Sequence, residues 1–143
     1  MPPERRVHLV EDPLDTRELA AFVAGLSDRL AGRAVAHPTP CLASRARLAA
    51  ELLIALGKSF DALAAERCRA RAWELVDTWI AAERVRDLFV LRAHLLPPAL
   101  RQGLVELANR AGFDLWFVGQ GRYAGLACTA TETPHRRWDP ASL

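Results

Sequence analysis

The sequence predicts an α/β fold: a mostly parallel sheet of about four strands with helices on both faces. Three observations carry that expectation. Two short apolar runs, 88–91 (LFVL) and 115–118 (LWFV), are continuous rather than alternating, as strands buried on both faces require. Between them Leu100, Leu104, Leu107, Ala108 and Ala111 recur at steps of three and four, which is one face of a helix. Pro97 and Pro98 suit that helix's first turn and Gly112 its left-handed exit, so residues 87–121 form a strand–helix–strand unit.

The remaining elements follow from local signals. Residues 6–10 (RVHLV) predict a first strand, stopped by Glu11-Asp12-Pro13. Asp15 or Thr16 can cap a helix running to about Leu30, with Leu19, Phe22, Val23, Leu26 and Leu30 facing inward and Gly32 closing it. Residues 33–37 (RAVAH) predict a second strand, closed by Pro38-Thr39-Pro40. Ser44 caps a helix carrying Leu48, Leu52, Leu53 and Leu56, which stops at Gly57. Ser59 opens a longer helix to about Arg84, with Phe60, Leu63, Ala64, Cys68, Ala72, Leu75, Trp79 and Ile80 as its inner stripe. The order is therefore β-α-β-α-α-β-α-β with right-handed crossovers. A single domain spans residues 1–121, and residues 122–143 lack periodicity and read as an irregular surface tail.

Composition sets modest bounds on function and leaves nucleic acid a weakly supported partner. Nineteen Lys+Arg against seventeen Asp+Glu leave a net charge of +2, far from the basic footprint of a nucleic-acid surface. Lys58 is the sole lysine, so the arginine excess reads most simply as coding bias. Cys41, Cys68 and Cys128 are odd in number and widely spaced, without CxxC or Cys/His ligand spacing, which argues against structural zinc. Free thiols fit a reducing cytosol. No run approaches the ~20 apolar residues of a membrane span, and residues 1–13 lack the apolar centre of a signal peptide. The expectation is a cytoplasmic protein with no cofactor and no membrane partner.

Individual motifs weaken on inspection. Gly57-Lys58-Ser59 looks like the end of a phosphate-binding GxxxxGK[ST] loop. The first glycine of that pattern would fall at Leu52, and the preceding residues are helical rather than a buried strand. A helix end followed by the next helix's cap explains it better. His135-Arg136-Arg137-Trp138 could grip phosphate and stack on a base, but no second basic cluster supports it. VHLVEDP resembles the opening of response-regulator receiver domains, where an acidic pair after the first strand binds magnesium. The phospho-accepting aspartate of those domains ends the third strand, where this chain has Leu91 or Arg92. Strand C-terminal ends are where parallel sheets place their sites. The residues just past those ends are Glu11, Asp12, His37, Arg92, His94 and Gln120. An ion pair of Arg92 with Glu11 or Asp12 is expected across that edge.

A wider pattern runs from Arg33 to Gly121. RAVAHPTPCLASRARLAAELLIALGKSF places a proline-bearing turn after a strand and closes its helix in Leu53-Ile54-Ala55-Leu56-Gly57. Leu91-Arg92-Ala93-His94-Leu95-Leu96 follows the third strand, and Leu115-Trp116-Phe117-Val118-Gly119 forms the fourth. This layout resembles the transposition-helper AAA ATPases of the IstB/TniB type, with "LxALG", a Walker B strand running into "DEAHLL", and a sensor strand "lwlVG". The resemblance covers about 90 of the 143 residues. It implies a P-loop-NTPase-like core order and a site at the strand ends. VHLVEDPLDT stands where Walker A belongs, and the Walker B acids map to Leu91 and Arg92.

Those replacements decide the functional expectation. ATP hydrolysis needs a phosphate cradle with its lysine, and carboxylates to hold Mg²⁺. Arg92 cannot coordinate Mg²⁺ and Leu91 offers no ligand. The expected function is a non-catalytic binding or regulatory module, a pseudo-ATPase whose partner is another protein. The alternatives are a small α/β enzyme using His37 or His94 at the strand ends, or a degenerate receiver-like domain. A nucleophile for the enzyme is not visible, since Ser44 and Ser59 serve as caps.

Overall fold

Four strands lie side by side and parallel in the order β1-β4-β3-β2: β1 (Val7–Glu11), β2 (Arg33–Ala36), β3 (Asp87–Leu91) and β4 (Asp114–Gly119). The helices are α1 (Arg17–Gly25), α2 (Arg45–Ala55), α3 (Arg69–Ala82) and α4 (Pro98–Ala111), with a 3₁₀ turn at Ala93–Leu95. The structure, a computed structural model, describes residues 7–11, 17–28, 30–39, 44–58 and 69–120. Among the described residues no helix is long and apolar enough to cross a membrane. The expected caps Asp15, Thr16 and Ser59, the stripe residues Phe60, Leu63, Ala64 and Cys68, the cysteines Cys41 and Cys128, and the tail 122–143 lie outside those residues.

The strand order explains the layering. From β1 the chain crosses the sheet to β2 at the opposite edge, then returns one strand at a time through β3 to β4. Right-handed crossovers made in opposite directions leave their helices on opposite faces. Val23 of α1 accordingly packs with Val35, Phe89, Leu91 and Val118 on one face. Helices α2, α3 and α4 cover the other, burying Ala34, Ala36, Leu88, Val90, Leu115 and Phe117 against Leu48, Leu52, Val76, Leu104 and Leu107. Alternate residues of β3 and β4 thus enter two separate cores, which is why both strands read as continuous apolar runs.

Local chemistry sets the element ends. The Ser44 side chain accepts from the Arg47 N–H and opens α2. The helix closes with Gly57 N–H donating to the Ile54 carbonyl and Lys58 N–H to that of Leu53. Pro98 sits in the first turn of α4 and Gly112, at φ 80°, ends it.

Three inward assignments change. Helix α1 stops at Gly25, so Leu30 is fully exposed instead of lining its inner face. The Asp28 carboxylate takes the N–H groups of Leu30 and Ala31, and the Asp28 and Arg33 backbones bond to each other in both directions. An aspartate that satisfies nearby backbone donors competes with the helix and turns the chain. On α3 the buried row is Ala72, Val76 and Ile80, a clean step of four, with Trp73 and Trp79 partly buried beside it and Leu75 37% exposed. On α4 Ala111 is exposed, while Arg101 and Val105 join the buried face. The strands are also displaced slightly from expectation: β1 extends to Glu11, β2 stops before His37, and β3 and β4 begin at Asp87 and Asp114.

Candidate functional site

All four strands run the same way, so their C-terminal ends share one edge of the sheet. Across it stand Glu11 at the end of β1, Gln120 after β4, Arg92 after β3 and His37 after β2. Helix α1, which follows β1, lies on one face of the sheet, and α4, which follows β3, lies on the other. Asp12 lies outside the described residues.

The corner after β3 is the most constrained part of this edge. Arg92 has φ 51° and ψ 40°, a left-handed conformation that costs a non-glycine residue about 1 kcal/mol or more. That turn redirects the chain into the 3₁₀ segment and brings His94 beside β4. The Gln120 backbone N–H donates to His94 Nδ1 at 3.0 Å. In the neutral ring this leaves the proton on Nε2 as a donor. His94 therefore ties the end of β3 to the end of β4. The Thr39 hydroxyl donates to Glu51 at 2.6 Å and anchors the exit of β2 to α2 in the same way.

The edge does not assemble every residue expected of it. Arg92 and Glu11 belong to strands separated by β4, two strand spacings or about 10 Å apart. Among the described residues no ion pair joins them, and both side chains are exposed. Of the two partners expected for Arg92, Glu11 is not paired with it, and Asp12 lies outside the described residues. Thermal melts of Arg92→Met, Glu11→Gln and the double mutant should give losses additive to within about 0.5 kcal/mol, as distant sites do. A larger coupling would mean that the two side chains do meet. His37 is exposed at the opposite end of the row, and among the described residues neither His37 nor His94 is bonded to a serine, cysteine or carboxylate. No group of three or more His, Cys, Asp or Glu among the described residues is placed to hold a metal ion.

Leu91, at the end of β3, is buried on the α1 face with Val23 and Val118. Its side chain is part of a core. Lys58 is likewise committed elsewhere: its ammonium lies 2.6 Å from the Glu83 carboxylate and 3.9 Å from the Trp79 ring centroid. Gly57 and Lys58 close α2, and Lys58 clamps it to the C-terminal end of α3, with a cation–π contact reinforcing the ion pair.

A second polar cluster lies at the other end of the strands. On the α1 face His8, Trp116 and Phe89 form a row across β1, β4 and β3, being register partners in turn. Their rings stack at centroid distances of 4.1 and 5.5 Å. The Trp116 indole N–H donates to Asp87 at 3.1 Å, and His8 Nε2 lies 3.4 Å from Asp114. The available signal was the alternation itself: Asp87 and Asp114 each stand two residues before an aromatic on the same face of adjacent strands.

No protein-family model, curated protein or solved structure was found to match this chain.

Proposed function

We propose that this chain is a non-catalytic binding or regulatory module derived from a transposition-helper AAA-type ATPase core, with another protein as its partner. The observation that carries the reading is the strand order β1-β4-β3-β2. This order supports the reading because β1 would stand in the Walker A place beside β4 as the sensor strand, and β4 beside β3 as the Walker B strand. His94, from the Walker B-like motif, accepts a direct hydrogen bond from Gln120, the residue that follows the sensor-like motif.

The chemistry at that edge supports the non-catalytic half of the reading. Phosphoryl transfer to water depends on carboxylates that hold Mg²⁺ and orient the nucleophile. At the corresponding corner Leu91 is buried in a core and Arg92 is an exposed cation at a left-handed turn. Phosphate release from ATP in the presence of Mg²⁺ tests this. It should proceed at the buffer rate and be unchanged by Arg92→Ala. Magnesium-dependent turnover that Arg92→Ala or His94→Ala abolishes would overturn the reading and install an active site at this edge.

A further inference from the structure

We draw no further inference here: the strongest candidate, the strip of sheet beside α1 where the partly buried His8 and Trp116 stack next to the buried Phe89, is a sheet face left unpartnered among the described residues, and nothing in the structure shows what covers it.

Discussion

Val90→Asp is expected to abolish cooperative folding, and Phe117→Asp to do the same. The two residues are register partners on the central strands β3 and β4, and both are completely buried on the three-helix face. An aspartate there would leave an unpaired charge in an apolar core, a penalty of several kcal/mol, and would also remove the packing of a large side chain. Domains of this size hold only about 5–15 kcal/mol in reserve. Circular dichroism melts check the result. Glu11→Gln, at an exposed strand end, serves as the control and should shift stability by no more than about 0.5 kcal/mol. A cooperative melt of either core variant within a few degrees of the parent would mean that β3 and β4 are not the centre of the sheet.

The next largest effect belongs to Gly32→Ala. Gly32 has φ 76°, and a methyl group added there would lie 2.6 Å from the Arg84 carbonyl oxygen. The neighbouring backbone cannot easily give way, because the Gly32 carbonyl accepts from both Arg86 and Asp87 N–H where β3 begins. Left-handed strain of about 1–2 kcal/mol adds to displaced backbone bonds, for a loss of about 3 kcal/mol. Two other glycines separate these causes. Gly112 is equally left-handed but a methyl group there meets nothing within 4 Å, so Gly112→Ala should cost only about 1 kcal/mol. Gly103 lies inside α4, where the methyl group would find Trp73 and Arg45 at ordinary contact distances of 3.9 and 4.0 Å. Gly103→Ala should therefore stabilise by about 0.5–1 kcal/mol through helix propensity. Denaturant midpoints in any other order would contradict the close approach of residues 32 and 84.

The legibility of this fold in its sequence follows the physics of burial. Strands buried on both faces leave continuous apolar runs, so β3 and β4 were readable, and the proline start and glycine stop of α4 bounded the helix between them. Legibility fell where a competing local interaction decided the outcome. The spacing of Leu26 and Leu30 suits a continuing helix, but Asp28 captures the backbone donors of Leu30 and Ala31 and turns the chain first. On α3 Leu75 and Val76 are adjacent apolar residues, and only packing against α2 and the sheet decides that Val76 turns inward. At the candidate site, parallel topology was enough to place Glu11, His37, Arg92 and Gln120 on one edge. It did not reveal their spacing, because the order of strands is a long-range property: inserting β4 between β1 and β3 keeps Glu11 and Arg92 apart. The His8–Trp116–Phe89 row was hidden for the same reason, since its members touch only once register is known.

On the proposed reading, the C-terminal edge of this sheet is not a magnesium–nucleotide site. Calorimetric titration of the chain with ATP, with and without Mg²⁺, tests it most directly. The account predicts no magnesium-dependent heat and no affinity tighter than about 1 mM, near −4 kcal/mol. A magnesium-dependent dissociation constant near 10 µM, about −7 kcal/mol, that is lost in Arg92→Ala would contradict it.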